Sequence, residues 1–350
     1  MRRSRPLTHR HAHRGPQRSG RNRTVAGLVA LATLAAACST PGTAGGRGTS
    51  APPPASSPAS STVAGGTTQT AGGSSSTTTL PLGDGKVTSG TPEAGYVDSC
   101  QTGRTRGGPA HSGPWINSDG TWTPAEKVAV QGSNAWPQAY FHQSVSGSVR
   151  TITAADIPVG ATTGNFPIAT TDPAYQYDHN PNHVQPNAIT LTIPADPTAA
   201  PTPGCLPMGP IGITTTGVWL YNALDNGNLD AVAHETQDSC GGHPDGHDRY
   251  HYHDIGPCLM ATATGSSTLV GYALDGYGIY VEHNADGSLV TDAQLDACHG
   301  RTSPVLWDGT VVDMYHYDAT AAYPYTLGCF HGVVPTSAVI SSGHTAAQFA

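Results

Sequence analysis

The stretch GITTTGVWLY (residues 212–221) decides the fold, because it recurs at identical spacing as GYALDGYGIY (residues 271–280). Both copies read G-x4-G-x3-Y, and their β-branched and aromatic residues are typical of short strands. A segment that recurs in this way indicates two related supersecondary units that pack as a pair.

Three further landmarks follow each copy in the same order. They are a cysteine in DSCGGH (238–243) or DACHGR (296–301), a tyrosine-histidine segment, YHYHD (250–254) or YHYD (315–318), and a closing cysteine, Cys258 or Cys329. The sequence therefore predicts an internal repeat with units at residues 212–258 and 271–329.

The first 37 residues have the features of a signal peptide. Residues 1–24 carry eight arginines and no acidic residue, and the apolar run that follows, residues 25–37, is too short to cross a membrane as a helix. The run ends in LAAAC (34–38), which resembles a lipobox, so we expect Cys38 to be lipidated. This predicts a protein held at the extracytoplasmic face of the cell membrane by its acyl chains. Ordinary signal-peptide cleavage beside an unmodified cysteine is the alternative.

Residues 38–90 are predicted to be a disordered tether. Between residues 39 and 79, 38 of 41 residues are Ser, Thr, Gly, Pro or Ala, which leaves the segment little to bury. Tyr, Trp and Cys become frequent after residue 91, so residues 91–350 are expected to form the folded domain.

The charge pattern excludes nucleic acid as a partner. Without residues 1–37 the chain has eight basic and 24 acidic side chains, and the basic ones are scattered singly. Binding to a phosphate backbone needs clustered Lys and Arg. The expected partner is the membrane, through the lipid anchor, and the sequence leaves open which cell-envelope ligand the domain meets.

The composition of the rest of the chain predicts a mainly β fold. Charged residues make up 11% of the sequence, and Gly and Pro are abundant, with 43 and 29 residues. Runs such as residues 149–153 and 188–193 alternate with the two-residue period of half-buried strands. We therefore predict a β-rich domain with few short helices and two duplicated units joined by disulfides; an α+β fold is the alternative.

The six cysteines after Cys38 are expected to form three disulfide bonds, because an even number in an exported chain favours them. Spacing alone leaves all fifteen connectivities open. The repeat indicates that each unit is closed by its own bond. The predicted pairs are Cys240–Cys258, Cys298–Cys329 and, by elimination, Cys100–Cys205.

Together these motifs resemble the YHYH-domain proteins of bacteria. The resemblance covers roughly residues 125–332 and is carried by DSCGGHPDGHDRYHYHDIGPCL (238–259), GYALDGYGIY (271–280), LDACHGRT (295–302) and MYHYDATAAYPYTLGCFHG (314–332). It implies an exported setting and brings no established reaction with it.

The tyrosine-histidine segments predict a metal site. In an extended strand the two histidines of YHYHD share one face, and the histidine and aspartate of YHYD do the same. If the two units pack about a local twofold axis, these four side chains converge into a set that suits zinc or copper(II). The predicted ligands are His251, His253, His316 and Asp318, with His243 and His299 nearby as reserves.

Several alternatives remain open at this stage. In the alternative reading the histidines serve as hydrogen-bonded core residues, and the domain is a non-metal binding module for a cell-wall glycan or peptide. His179 and His183 form an H-x3-H pair that is typical of a turn, because a proline lies between them. Residues 282–287 resemble half of a calcium loop, but the spacing that should follow fails, so calcium is less expected than zinc or copper.

The sequence does not favour an enzyme, and catalytic residues remain unknown. His234-Glu235 begins like a zincin helix but lacks the second histidine of that motif, and no G-x-S-x-G nucleophile motif is present. Hydrolysis by a metal-bound water is the enzymatic alternative, and it requires a pocket beside the metal.

Overall fold

The computed structural model describes residues 78–101 and 113–338, and it confirms the mainly β fold. The two α-helices of these residues have four residues each, which gives the α+β alternative no support. Within the same ranges, no helix has the length and apolar character needed to cross a membrane. The predicted signal peptide and Cys38 lie outside the described residues.

The regular structure of the described residues consists mostly of short strands. The strands are β1 (Leu80–Pro81), β2 (Val87–Thr88), β3 (Val97–Asp98), β4 (Thr121–Trp122), β5 (Phe141–Ser146), β6 (Val149–Ala154), β7 (Ile189–Pro194), β8 (Ala199–Gly204), β9 (Pro210–Thr214), β10 (Trp219–Tyr221), β11 (Gly242–Pro244), β12 (Tyr250–Tyr252), β13 (Ser267–Ala273), β14 (Gly278–Glu282), β15 (Gly300–Trp307), β16 (Thr310–Asp318) and β17 (Phe330–Gly332). The helices are α1 (Ala231–His234) and α2 (Pro257–Met260), with 3₁₀ turns at Pro124–Glu126, Pro173–Gln176, Asp292–Gln294 and Thr336–Ala338.

Eight strands form a central sheet that contains both copies of the repeat. Their order is β11-β12-β10-β9-β13-β14-β16-β15. Strands β9 and β13 pair antiparallel at the centre, and each half continues outward through equivalent strands of the two copies. The predicted pair of duplicated units is therefore confirmed, as the two halves of one sheet.

The two halves also share a hydrogen-bond register. Leu220 of β10 pairs in parallel with Tyr252 of β12, and Ile279 of β14 pairs in parallel with Tyr317 of β16. Because Leu220 and Ile279 hold the same position in G-x4-G-x3-Y, the duplicated sequence builds the same local backbone twice.

Close strand packing and positive φ angles explain the glycines of the repeated motif. A Cβ on Gly212 would lie 2.6 Å from the carbonyl oxygen of Tyr272, so the close approach of β9 and β13 needs a residue without a side chain. The second glycine of each motif has a positive φ, 85° at Gly217 and 95° at Gly276. Residues with a Cβ rarely adopt that conformation.

The folded part begins earlier than the predicted boundary at residue 91. Strands β1 and β2 lie within the predicted tether, where Leu80 and Leu82 pack against the main core. The backbone N–H of Gly83 also donates to the buried carboxylate of Asp230 at 2.9 Å. Composition missed this segment because a few apolar residues and a small set of backbone hydrogen bonds are enough to dock two very short strands.

A smaller antiparallel sheet, β5-β6-β7, shares the core of the central sheet. Alternate residues of β6 and β7 are buried, as the two-residue period predicts. They include Ile152, Ile189, Leu191 and Ile193.

All three predicted disulfide bonds are present. The Cα atoms are 5.0 Å apart in Cys100–Cys205, 4.9 Å in Cys240–Cys258 and 4.4 Å in Cys298–Cys329. The second of these bonds closes the segment that contains the hairpin β11–β12 and all of its histidines.

Candidate metal centre

The hairpin β11–β12 is shaped by Asp238, which precedes it. The Asp238 Oδ1 atom accepts hydrogen bonds from the backbone N–H groups of Cys240 and Gly242, at 2.9 and 3.2 Å, and Oδ2 accepts one from the Tyr250 hydroxyl at 2.8 Å. A Cβ on Gly242 would lie 2.2 Å from the Tyr250 ring. The first tyrosine of the YHYH segment therefore packs directly on glycine backbone and fixes the hairpin.

Three imidazoles converge on this hairpin. His243 and His251 lie opposite each other in the antiparallel pair, and His253 follows two residues later. One ring nitrogen of each lies within 4.8 Å of the corresponding nitrogens of the other two, and all three residues are buried. The Tyr221 ring stacks on His251, with ring centroids 3.9 Å apart. Strand β12 is thus extended, as the metal-site prediction required.

Backbone carbonyls fix the orientation of two of these rings. Nδ1 of His251 lies 3.1 Å from the carbonyl oxygen of Arg249, and Nδ1 of His253 lies 2.5 Å from that of Asn222. A carbonyl can only accept, so each Nδ1 carries the proton, and in the neutral ring Nε2 is left with a lone pair. Metal-binding histidines are usually held in this way.

Glu235 adds a carboxylate to the three imidazoles. Its Oε2 atom lies 3.1 Å from Nε2 of His243 and 3.0 Å from Nε2 of His253. All three atoms are buried, and apart from these ion-pair contacts none of them has a hydrogen-bond partner. Buried polar atoms that lack hydrogen bonds are rare in folded proteins. Ligand atoms around a tetrahedral zinc ion are separated by roughly 3.3–3.5 Å, which is only a few tenths longer than these contacts.

Helix α1 determines where Glu235 lies. Glu235 directly follows the helix, and its backbone N–H donates to the carbonyl of Ala231 at 2.9 Å. The preceding residue, His234, is held by Asp84, whose Oδ2 lies 3.0 Å from the His234 Nε2. Because the helix ends at His234, the zincin-like pair does not continue as a helix, yet its glutamate still reaches the site.

The electrostatics of the group favour a cation. Burial alone would raise the pKa of Glu235, but the imidazoles of His243 and His253 outweigh it and hold that pKa well below its usual value. Burial, together with the same two imidazoles, lowers the pKa of His251 well below its usual value. Glu235 in turn raises the pKa of His253, although burial opposes this. At neutral pH the group therefore offers an ionised carboxylate and a neutral His251, and a metal ion would displace the proton that Glu235 favours on His253.

A cavity of about 810 Å³ opens over these four side chains. That volume lies in the range of small-molecule sites. The rest of the wall combines apolar surface with several polar side chains, which include Asn180, Asn182, Asp225, Asn226, His247 and Arg249. The arrangement can therefore hold a metal ion that a small ligand reaches from solvent.

The second copy of the repeat forms a group of its own, from Glu282, His316 and Asp318. One ligand atom of each lies within 4.8 Å of the others. Nε2 of His316 is 3.3 Å from Oε2 of Glu282 and 3.8 Å from Oδ2 of Asp318. Arg301 forms ion pairs with both carboxylates.

The predicted convergence of His251, His253, His316 and Asp318 in one site is wrong. Four strands lie between β12 and β16 in the central sheet. At ~4.8 Å per strand, the two segments are about 24 Å apart along the sheet. The two halves meet at β9 and β13, so the local symmetry places the histidine strands toward opposite edges and each copy keeps its own group.

His299, the other predicted reserve ligand, lies outside both groups. Its Nδ1 atom is 2.9 Å from the carbonyl oxygen of Thr326, and its Nε2 atom is 3.3 Å from Oδ1 of Asp292. Both ring nitrogens thus have hydrogen-bond partners, and this histidine fits the structural alternative.

The weaker motifs also form local contacts. The ring of His179 stacks on Tyr175 with centroids 4.0 Å apart, and its side chain reaches the cavity wall, but His183 does not join it. In the calcium-like segment, Oδ1 of Asp286 accepts hydrogen bonds from the backbone and hydroxyl of Ser288, as in an ordinary turn.

Sequence reasoning missed three residues of these groups. Glu235 has no counterpart in the second copy, so the repeat could not reveal it. Glu282 was considered only for calcium. Arg301 follows D-x-C-x-G just as His243 does, so an alignment of the two copies contained the signal for it.

Comparisons with curated proteins and with solved structures found no match. A family model described as YHYH protein matches residues 190–291, a segment that contains the whole first group and ends before His316. The chain therefore carries a YHYH domain match over the part of the fold that builds the three-histidine site.

Proposed function

We propose that this is an exported, membrane-anchored protein whose YHYH domain binds one divalent transition-metal ion through His243, His251, His253 and Glu235. The observation that carries the proposal is a set of three buried atoms without hydrogen-bond partners, in which Nε2 of His243 and Nε2 of His253 lie 3.1 and 3.0 Å from Oε2 of Glu235. A metal ion would give all three a shared partner.

The donor set favours zinc or copper(II). Imidazole nitrogen suits both ions, whereas calcium takes oxygen ligands. The six cysteines of the described residues are joined in disulfides, so they offer no thiolates to the site. Elemental analysis decides between the two metals.

The proposed location rests on the sequence of residues 1–38. A signal peptide that ends in LAAAC is expected to export the chain and to leave a lipid on Cys38. Three disulfide bonds suit an oxidising compartment outside the cytoplasm. Fractionation tests the anchor: Cys38→Ser is expected to move the protein from the membrane to the soluble fraction, and an unchanged distribution would remove lipidation from the proposal.

A matched pair of histidine variants tests the metal site. The full chain is purified from an oxidising compartment, supplied with zinc or copper, dialysed and analysed for metal per chain. We expect about one ion in the wild type, a loss in His251→Ala, and no change in His316→Ala, which removes the equivalent ring of the second group. Equal metal contents in both variants, or a wild type without metal affinity at neutral pH, would contradict the proposal.

The cavity favours a second candidate function, in which the same face binds a small cell-envelope ligand such as a glycan or peptide fragment. Amides and carboxylates supply much of its wall, and such groups hydrogen-bond to neutral hydroxyl-rich or amide-rich molecules. Calorimetry with peptidoglycan fragments, with and without zinc, tests this function. Binding that persists in His251→Ala would support a metal-independent module, and binding that requires zinc would support a ligand of the metal.

A further inference from the structure

Arg301 occupies, in the second half of the sheet, the position that His243 occupies in the first half. His243 lies opposite His251 in the pair β11–β12, and Arg301 lies opposite His316 in the pair β15–β16. The sequence gives the same equivalence, because both residues follow D-x-C-x-G.

The surrounding hairpins are built alike. Asp296 Oδ1 accepts hydrogen bonds from the backbone N–H groups of Cys298 and Gly300, at 2.9 and 3.0 Å, and from the Tyr315 hydroxyl at 3.1 Å. These are the contacts that Asp238 makes in the first copy. The side chain at the position of Arg301 therefore projects from an equivalent backbone.

The Arg301 guanidinium lies between the two carboxylates of its group. Its Nε atom is 2.9 Å from Oδ2 of Asp318, and its Nη2 atom pairs with Oε2 of Glu282. Asp318 is fully buried, and neither of its carboxylate oxygens accepts a hydrogen bond. Ion pairing with the guanidinium thus balances a charge that would be costly to leave alone.

His316 contacts one of the same carboxylates. Its Nδ1 atom lies 3.0 Å from the carbonyl oxygen of Met314, and its Nε2 atom lies 3.3 Å from Oε2 of Glu282. His253 of the first group makes the same pair of contacts, so this histidine does not distinguish the two groups. What distinguishes the second group is the Arg301 guanidinium, which is always charged and already pairs with both carboxylates.

The first group lacks such a guanidinium. Among the described residues, Glu235 is in ion-pair contact with the imidazoles of His243 and His253 and with no guanidinium or ammonium group. The large cavity also opens over the first group, and its wall includes none of the residues of the second.

We infer that Arg301 is a resident cation that takes the place of a metal ion in the second group, so that the protein has one metal site rather than two. Arg301 therefore prevents a metal ion from binding to the second group, and zinc is expected to bind there once Arg301 is replaced. The remaining ligands for that ion would be Glu282, His316 and Asp318.

The test counts zinc ions per folded chain in variants of Arg301, in the full chain and in a His251→Ala background. Arg301→His, which restores the side chain of the first copy, is expected to bind about one more zinc ion than its parent. Arg301→Lys keeps a cation at this position and is expected to gain none. In the His251→Ala background the gain reports on the second group alone, so the inference stays testable even if the first group binds no metal.

Two results would overturn the inference. One is a wild-type zinc content that falls in His316→Ala, because the second group would then already hold a metal. The other is an Arg301→His protein with native disulfides and a cooperative thermal transition that gains no zinc. If Arg301→His does not fold, Arg301→Ala is measured instead: a weaker additional zinc site that disappears with Asp318→Asn supports the inference, and a folded Arg301→Ala protein without that site refutes it.

Discussion

The disulfide Cys240–Cys258 encloses the three histidines of the first group, so its removal should affect both stability and metal binding. The bond joins residues 18 apart in the sequence, and its counterpart Cys298–Cys329 joins residues 31 apart. In the chain-entropy model such loops contribute about 3.2 and about 3.7 kcal/mol at 25 °C. The two bonds thus form a matched pair with similar effects on stability and different relations to the metal centre.

Serine replacement of both cysteines of each bond separates the two effects. Urea unfolding with a chelator present, followed by tryptophan fluorescence, is expected to show a loss of about 3–4 kcal/mol in either double variant. Zinc affinity, measured by competition with a chromophoric chelator, should fall at least about tenfold without Cys240–Cys258. A tenfold loss equals about 1.4 kcal/mol of binding free energy, which is less than the stability lost with the bond. Without Cys298–Cys329 it should stay within about twofold of wild type. Equal losses of zinc affinity in both double variants, or no loss in either, would refute the assignment of the site to this loop.

Three further substitutions test the packing of the hairpin, the role of the carboxylate in metal binding and the effect of a buried aspartate on stability. Gly242→Ala is expected to destabilise the fold by about 1–3 kcal/mol in thermal unfolding, because the added Cβ would collide with the Tyr250 ring. Gly246→Ala is the control and should have little effect, because a Cβ there meets nothing within 4 Å. Glu235→Gln is expected to weaken zinc binding at least about tenfold in the same competition assay, and Glu282→Gln should leave zinc binding unchanged. If Glu282→Gln weakened zinc binding and Glu235→Gln did not, the metal would belong to the second group and the proposed site would be refuted. Burial raises the pKa of Asp254 to about 6 from an unfolded value of 3.8, so the native state loses stability as pH rises through that range. Asp254→Asn should therefore stabilise the protein by up to about 3 kcal/mol at pH 7.5 and not at pH 4, and a stability difference that is independent of pH would disprove this cause.

Local sequence signals predicted the elements of the fold well. The alternating runs at residues 149–153 and 188–193 are strands β6 and β7. The repeat correctly assigned two disulfide bonds, and elimination assigned the third. The short apolar sequence KVAV at residues 127–130 has the same alternating character but is not a strand, since only Val130 forms a bridge, with Asp238. Alternation describes one segment at a time, and it does not say whether a neighbouring strand is there to pair with it.

Only part of the candidate metal centre was predictable, because a sequence pattern describes one segment and not which other segments it will meet. The face shared by His251 and His253 follows from strand geometry within five residues of sequence. The position of Glu235 depends on helix α1 and on the contact between His234 and Asp84, which are about 150 residues apart. The place where the two repeat units meet depends on backbone pairing between β9 and β13, and a repeat alone does not distinguish a shared site from two distant ones.

The two copies of the tyrosine-histidine segment separate scaffold from chemistry within this motif. Tyr250 binds the turn aspartate and the next tyrosine is buried in the core, and both features recur in the second copy, so the tyrosines serve the fold. The first histidine of each copy also keeps its Nδ1 contact with the carbonyl two residues before it. What differs is the final residue, His253 against Asp318, and the residue on the facing strand, His243 against Arg301. Because the backbone around these positions is equivalent, differences at a few side chains are enough to make one half of the sheet a candidate metal centre and the other a closed ion-pair cluster.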